Sequence, residues 1–362
     1  MITTLASGVA FADLEFQQTR RIIASAILRG ADGLAIVDPG PTSSLPVLER
    51  ELALAGASVA DITALLITHI HLDHAGAAGT LLARNPRIRV YVHEKGAPHM
   101  VDPSKLLASA TRLYGDAMDR LWGEVRPVPA SALVALAGGE RIPAGDRQWD
   151  VAYTPGHASH HVSYFSPDTG IAFVGDTAGV QTVPGGYVLP PTPPPDIDVQ
   201  AWLRSLDRIE QWRPSSLFLT HFGPTEHVGA HLAELREHLH DTERLARDAM
   251  ARSDDDAARE AWFIEQVRYD LSRHMGDTDV HAYQIAGRFD LNWRGIARYD
   301  RRPGRTTGGH SGTPVTISPA AAIARRGRRL GLGRGERPGA AVLCAVREFG
   351  ALHRCGHEIP NL

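Results

Sequence analysis

The segment HIHLDH (69–74) places four potential metal ligands within six residues. It follows directly on the apolar run ITALLIT, which is typical of a strand covered on both faces. Alternate side chains of an extended segment share a face, so His69 and His71 can bind one ion, and the turn that follows can bring Asp73 and His74 to a second. The segment therefore predicts a metal centre at the carboxyl end of a buried strand.

Three more potential ligands each come just after a predicted strand. His157 closes TPGH, Asp176 lies in FVGDT and His221 lies in FLTHFG. Ligands carried at strand ends are held by the sheet, which fixes metal geometry and leaves the loops free to shape a pocket. Imidazole and carboxylate ligands suit zinc, and also iron or manganese, without any thiolate.

The apolar runs along the chain predict a mixture of strands, helices and hairpins. This mixture predicts an α/β fold with two packed sheets and outer helices. The predicted strands are 34–40, 62–68, 87–93, 149–154, 161–166, 170–175 and 215–220, and the predicted helices among them are 44–56 and 78–85.

Two insertions and a C-terminal segment complete the predicted organisation. Residues 98–145 and 183–195 are expected to interrupt the fold as insertions, and the first insertion contains a helix from Pro103 to about Trp122. Residues 226–300 repeat leucines at helical spacing, with two later helical stretches at roughly 255–275 and 279–300, and are expected either to cap the fold or to form a homodimer.

Charge is divided unevenly along the 362 residues, whose net charge is −3. Residues 301–362 carry +8 and are rich in Gly and Arg, whereas residues 1–300 carry −11. We expect the tail to be a poorly ordered basic extension, with contact to nucleic acid as the alternative, while the acidic body disfavours a phosphate backbone. The start lacks a signal-peptide pattern and no long uncharged apolar run exists, so a cytoplasmic protein without a membrane partner is expected.

Taken in order, the motifs THIHLDHAG, TPGH, GD and LTH resemble those of the metallo-β-lactamase fold superfamily, most closely its glyoxalase II-like hydrolases. The resemblance covers about residues 1–225, which are therefore expected to form the catalytic domain. It implies an αββα sandwich of two mixed β-sheets with outer helices, followed here by a helical C-terminal segment. It also implies two divalent metal ions. Carried over residue by residue, it makes His69, His71 and His157 the ligands of the first metal, Asp73, His74 and His221 those of the second, and Asp176 the bridge between them.

The resemblance implies a hydrolase in which a hydroxide shared by the two metals attacks an acyl carbonyl, with Asp73 orienting it and relaying its proton. Zn²⁺ is the expected ion, and Fe or Mn are alternatives. Asp at position 176 resembles the thioesterases, lactonases and phosphodiesterases of the superfamily, whereas its β-lactamases usually have Cys or Ser there. The prediction is therefore a small-molecule thioester or ester (lactone) substrate, with no glutathione contacts that align.

Other reactions of the same superfamily stay open at this point. A mononuclear iron persulfide dioxygenase would use the two histidines of the HxHxDH loop and the later His157 at one iron. A phosphodiesterase or nuclease, and a non-catalytic scaffold stabilised by metal, are further alternatives. The presence of both His74 and His221 favours two metals.

Several residues near the motifs are candidates for supporting or pocket-lining roles. Asp38 ends a strand in VDPG and is predicted either to hydrogen-bond a ligand histidine or to serve ordinary turn chemistry. His160 and His161 are predicted to support the site or to form part of its pocket wall rather than to bind metal. Tyr187, His93, Trp122 and the helix 103–122 are predicted to line the acyl pocket. The cluster Cys344, His353, Cys355 and His357 has irregular spacing and is not expected to bind zinc.

Overall fold

A computed structural model describes residues 2–302, which fall within one compact unit. Seven strands form the first sheet in chain order. The first to fourth strands pair antiparallel with one another, and the fourth to seventh strands pair parallel, so the sheet is mixed. The strands are β1 (Ile2–Ala6), β2 (Val9–Asp13), β3 (Ala24–Gly30), β4 (Gly33–Val37), β5 (Ile62–Leu66), β6 (Arg89–His93) and β7 (Leu133–Leu136).

Six strands form the second sheet, in the order β13-β12-β11-β10-β9-β8. Only β11 and β12 pair parallel within it. The strands are β8 (Arg141–Ala144), β9 (Arg147–Tyr153), β10 (Val162–Ser166), β11 (Ile171–Phe173), β12 (Ser216–Leu219) and β13 (Gly223–Thr225).

The helices of residues 2–302 are α1 to α11 in chain order, and none of them is long and apolar enough to cross a membrane. They are α1 (Leu45–Leu54), α2 (Leu72–Ala75), α3 (Ala78–Arg84), α4 (Ala97–Val101), α5 (Ser104–Tyr114), α6 (Met118–Trp122), α7 (Val199–Gln211), α8 (Val228–Arg252), α9 (Asp256–Ser272), α10 (Asp277–Gly287) and α11 (Phe289–Asp300).

The two sheets face each other across an apolar core. Phe11 of the first sheet packs edge-on against Phe218 of the second at 5.6 Å between ring centroids, and buried Trp149 packs against Phe173 at 5.5 Å. Such pairs add roughly 0.5–1.5 kcal/mol beyond the burial of their area. Helices α1 and α3 cover the outer face of the first sheet, and α7, α8 and α11 that of the second. The predicted αββα sandwich with a helical C-terminal segment is confirmed.

One predicted helix is wrong as a single element, and one predicted helical stretch consists of two helices. The helix expected from Pro103 to Trp122 is divided into α5 and α6 because Gly115 takes the left-handed φ of 53°, which ends α5. The stretch 279–300 is divided into α10 and α11 because Arg288, at φ 42°, turns the chain between them. A residue with positive φ cannot continue a right-handed helix.

The predicted insertion 98–145 is wrong in its last part, because residues 133–144 include edge strands of both sheets. Residues 183–195 contain no helix or strand, as predicted, although Leu189 makes an isolated bridge to Val180. Helices of the 226–300 segment pack on the outer face of the second sheet within the same compact unit. The prediction for the basic tail concerns residues that, apart from 301 and 302, lie outside the described residues, as does the cysteine and histidine cluster.

Candidate metal centre

The predicted ligands come together at one edge of the sandwich because each follows the end of a strand. His69 lies three residues beyond β5, and the chain then enters the single turn of α2, which carries Asp73 and His74. The loops after β9, β11 and β12 supply the remaining ligands, which are His157, Asp176 and His221.

The first group of converging atoms consists of three imidazole nitrogens. Nδ1 of His71 lies 2.9 Å from Nε2 of His69 and 3.0 Å from Nε2 of His157. His69 and His157 are buried, whereas His71 borders the solvent side. These are the three histidines that the family resemblance assigns to the first metal.

The second group combines two imidazoles with a carboxylate. Nε2 of His221 lies 3.5 Å from Oδ2 of Asp73, and Nε2 of His74 lies 4.0 Å from the same oxygen. The Asp73 side chain is 24% exposed, so its carboxylate remains accessible from the cavity in front of the site.

Asp176 lies between the two groups and turns one oxygen towards each. Its Oδ2 is 3.3 Å from Nε2 of His157 and 4.0 Å from Nε2 of His69. Its Oδ1 is 3.2 Å from Nε2 of His74 and 3.5 Å from Nε2 of His221. A carboxylate in this position can bridge two ions.

The donor atoms of the second group fit a bound cation. Nε2 of His74, Nε2 of His221 and Oδ1 of Asp176 are buried and have no hydrogen-bond partner among residues 2–302. Buried polar atoms without partners destabilise a fold, so a cluster of them needs an explanation. A divalent ion that takes nitrogen and oxygen ligands would satisfy all three.

The ring nitrogens of the predicted ligand histidines that point away from the centre are held by hydrogen bonds to the protein. Nδ1 of His157 donates to the carbonyl of Pro191 at 2.8 Å, and Nδ1 of His221 donates to that of Ile22 at 2.6 Å. Such hydrogen bonds fix the tautomer and leave Nε2 free to bind metal.

Asp38 fixes the imidazole ring of His74 in the same way. Its Oδ2 lies 2.8 Å from Nδ1 of His74, and the same oxygen accepts from the hydroxyls of Thr68 and Thr220 at 2.7 and 2.8 Å. Asp38 is buried and has a φ of 51°, so tertiary contacts maintain an unfavourable backbone conformation here. Of its two predicted roles, the structure shows the contact with His74, a predicted ligand.

His161 and His160 take different positions. Nε2 of His161 accepts from the backbone N–H of Asp176 at 3.3 Å, and its Nδ1 contacts the hydroxyls of Thr154 and Thr177 at 3.0 and 3.1 Å. His161 therefore supports the loop that carries Asp176. His160 lines the cavity instead.

Burial and neighbouring charges divide the two groups electrostatically. Burial lowers the pKa of His69 and His157, and together with the charge of His157 it lowers the pKa of His71 to about 4. Burial acts the same way on His74 and His221, but the Asp176 carboxylate and its neighbours outweigh it and raise the pKa of both.

The pKa values of the two carboxyl groups of the centre shift in the direction opposite to the one that burial alone would cause. Burial raises the pKa of Asp73, yet His74 and His221 outweigh it and lower that pKa to about 2. The same balance, with His74 as the main opposing charge, holds the pKa of Asp176 well below its usual range. Both carboxyls are therefore ionised at neutral pH.

A cavity of about 360 Å³ opens in front of the centre. Ligand residues of both groups, His160 and Trp122 line it, but Tyr187 and His93 do not, so the prediction that these two line the pocket is wrong. Tyr187 stacks on His238 at 3.9 Å between ring centroids, and His93 stacks on Tyr153 at 4.3 Å. The apolar wall of the cavity includes Phe16, Ile22, Ile23, Leu106, Trp122 and Leu291.

Sequence reasoning missed the two threonines that contact Asp38. A signal for them existed, since Thr68 and Thr220 each directly precede a ligand histidine, in THIH and in LTH. It also missed the carbonyls of Pro191 and Ile22, which no side-chain motif can mark.

Comparison with known proteins agrees with this geometry. The family model of the metallo-beta-lactamase superfamily matches residues 19–221, more than half of the chain. The chain belongs to the metallo-beta-lactamase superfamily. A metallo-beta-lactamase family protein from Thermus thermophilus superposes with a TM-score of 0.61 at 22% identity, covering 82% of this chain and 94% of that one, which shows the shared fold.

Curated relatives within the superfamily match a shorter segment. The hydroxyacylglutathione hydrolase of Thermosynechococcus vestitus is 34% identical over 143 residues, which are 40% of this chain and 43% of that protein. A metallo-beta-lactamase fold-containing protein of Sulfurisphaera tokodaii is 30% identical over 162 residues, which are 44% of this chain and 60% of that protein. The match thus spans about half the length of these relatives.

Proposed function

We propose that the chain is a binuclear metal-dependent hydrolase of the thioesterase or esterase type, acting on thioester or ester (lactone) bonds. The observation that carries this proposal is the position of Asp176, with one carboxylate oxygen 3.3 Å from His157 of the first group and the other 3.2 Å from His74 of the second. The curated hydroxyacylglutathione hydrolases, which match in part, support the thioester class.

Two divalent ions bound at such a centre, most simply Zn²⁺, supply Lewis acidity and a hydroxide at neutral pH. The chain contributes the geometry. His69, His71 and His157 hold one side of the site, and His74 and His221 hold the other.

Asp73 is the catalytic residue in this proposal. Its carboxylate is ionised and reaches the cavity, so it can orient the attacking water and accept its proton. No serine or cysteine nucleophile is required, and neither cysteine of the chain occurs in the metal motifs.

The alternative of a mononuclear iron persulfide dioxygenase uses only the first group. The second group disfavours it, because His74 and His221 are both present, buried and turned towards Asp176. A phosphodiesterase or nuclease would use the same metal geometry, and the assay below separates it.

The test is a panel of thioesters, lactones, phosphodiesters and β-lactams, assayed on protein whose metal content is measured in the same sample. We expect about two ions per chain, with turnover of thioesters or esters. The Asp73→Ala and His71→Ala variants should lose both turnover and bound metal. A hit confined to phosphodiesters would refute the thioesterase proposal, and one iron per chain with oxygen uptake on glutathione persulfide would establish the dioxygenase instead.

A further inference from the structure

The distribution of lysine in this chain is unusual. The 38 basic residues comprise 36 arginines and two lysines, Lys95 and Lys105. The lysines are ten residues apart and lie on different elements, one in the loop after β6 and the other in the first turn of α5. Both nevertheless line the cavity in front of the metal centre.

The Lys95 ammonium is held in place by a neutral partner. Its Nζ donates to the Tyr153 hydroxyl at 2.8 Å, and that hydroxyl donates to the carbonyl of Ser159 at 2.9 Å, close to His157 and His160. Tyr153 is fixed in turn by stacking on His93. The contact orients the charge of Lys95 without neutralising it.

Neither lysine is paired with an acid in residues 2–302: no carboxylate oxygen lies within 4.0 Å of either ammonium. Arg288, which also lines the cavity, differs in this respect because it makes two hydrogen bonds to Asp290, at 2.9 and 3.0 Å. Lys95 and Lys105 are exposed, and neither ammonium forms an ion pair, although Asp102 lies near Lys105 and Asp196 also lines the cavity.

These charges stand out against the rest of the molecule, since residues 1–300 have a net charge of −11. Two cations without an ion-pair partner beside a cleft raise the local concentration of anions, even on an acidic protein. The side chains of Leu106 and Leu113, on the same helix as Lys105, contribute to the apolar wall of the same cavity. The cavity thus offers apolar surface and positive charge to one ligand.

We propose that Lys95 and Lys105 bind an anionic oxygen group, a carboxylate or a phosphate, carried by the acyl substrate, while the apolar wall holds the rest of that substrate. This inference rests on the proposed function for the position of the cleaved bond. It adds the substrate class, an amphipathic ester or thioester with a negative charge away from the reacting carbonyl.

The kinetic test uses three matched thioesters with the metal-loaded full chain. Octanoyl N-acetylcysteamine is neutral, octanoyl 3-mercaptopropionate carries a carboxylate on the leaving group, and the N-acetylcysteamine monothioester of suberic acid carries it at the end of the acyl chain. We expect one of the two anionic substrates to exceed the neutral one in kcat/KM, and which of them does so shows where the anion is bound.

The variants are Lys95→Gln, Lys105→Gln and their double substitution, with Lys95→Arg and Lys105→Arg as charge-preserving forms. A hydrogen bond to a charged group is worth enough to change affinity by about tenfold. The double Gln variant should therefore reduce the anionic-to-neutral ratio of kcat/KM by about tenfold or more, mainly by raising KM for the anionic substrate. The Lys95→Arg and Lys105→Arg variants should keep most of the original ratio. Arg247→Gln, which removes an exposed cation from α8 outside the cavity, is the matched control and should leave the ratio unchanged.

Binding of octyl phosphate, compared with octanol by calorimetry, tests the inference without turnover. We expect octyl phosphate to bind more tightly, with a preference that falls with added salt and is reduced by about tenfold in the double Gln variant. If none of the thioesters is hydrolysed, the proposed function fails while this binding result still decides the role of the lysines. An anionic preference that is absent, or that is undiminished in the double Gln variant, overturns the inference even if the neutral thioester is hydrolysed.

Discussion

The Asp38 carboxylate and the His74 imidazole form a buried pair, with 2.8 Å between Oδ2 of Asp38 and Nδ1 of His74. Both side chains are fully buried. Thr68 and Thr220 donate to the same carboxylate from the ends of strands in the two different sheets. Asp38 therefore connects the sheets directly behind the metal centre.

Replacement of Asp38 by Asn should weaken metal binding at the second group. The amide leaves the shape nearly unchanged but removes the charge that orients His74, and loss of such a supporting partner typically reduces metal affinity about 10–100-fold. Metal content after dialysis against a weak chelator should fall from two ions per chain towards one. Asp32→Asn, in the exposed turn between β3 and β4, is the control. Full retention of both ions by Asp38→Asn would show that the pair is dispensable.

The two threonines should contribute to stability through the same carboxylate. Thr220→Val keeps the side-chain shape and removes a hydroxyl that donates to Asp38 at 2.8 Å. Loss of a hydrogen bond to a buried charged group costs about 1.5–3 kcal/mol. Urea unfolding of metal-free protein should show this decrease in the free energy of unfolding. Thr63→Val, whose half-buried hydroxyl contacts only the Leu34 carbonyl at 3.4 Å, is the control and should change it by less than half as much.

Much of the candidate site was predictable because the side chains that converge there lie in short motifs at strand ends, where sequence neighbours are also neighbours in space. The positions of Tyr187 and His93 could not be predicted, because packing against His238 and Tyr153, which are distant in sequence, decides where those rings point. The breaks at Gly115 and Arg288 were missed for another reason. Each depends on a single positive φ, which leaves no mark in the hydrophobic periodicity.

Acidification should release the two ions in a defined order. Burial alone would lower the pKa of His74 and His221, but the Asp176 carboxylate outweighs it and raises the pKa of both. Protons therefore compete with metal for the second group as soon as the pH falls towards these raised pKa values. The lowered pKa of His69 and His157, and that of His71 at about 4, keep the first group neutral to lower pH. Metal content measured from pH 8 to pH 4 should therefore fall from two ions to one before it falls to none.

The His221→Ala variant gives the control for this order, because it should start near one ion per chain and show only the more acidic step. Simultaneous loss of both ions in the unaltered protein, or retention of the less acidic step in His221→Ala, would contradict the assignment.

Metal removal should lower thermal stability. An ion that binds only the folded state stabilises it by about 2.7 kcal/mol when present at 100 times its Kd. For a domain of this size, that should shift Tm by about 5 °C or more. Calorimetry with and without a chelator checks this, and restoration of Tm by Zn²⁺ excludes damage by the chelator. A Tm that the chelator leaves unchanged would argue against bound structural ions.

Two helical glycines give a matched pair for the support of His157. A Cβ on Gly295 of α11 would lie 1.9 Å from the carbonyl oxygen of Thr192, next to the Pro191 carbonyl that holds His157. A Cβ on Gly229 of α8 would meet no atom within 4 Å. Gly295→Ala should therefore displace the 191–194 segment, lower the free energy of unfolding by about 1–3 kcal/mol as overpacking does, and weaken metal binding. Gly229→Ala should raise the free energy of unfolding by up to about 1 kcal/mol through helix propensity and leave metal binding unchanged.

Urea unfolding and metal titration of both variants check this. Equal metal affinity in the two variants would show that the contact between α11 and the 191–194 segment does not position His157.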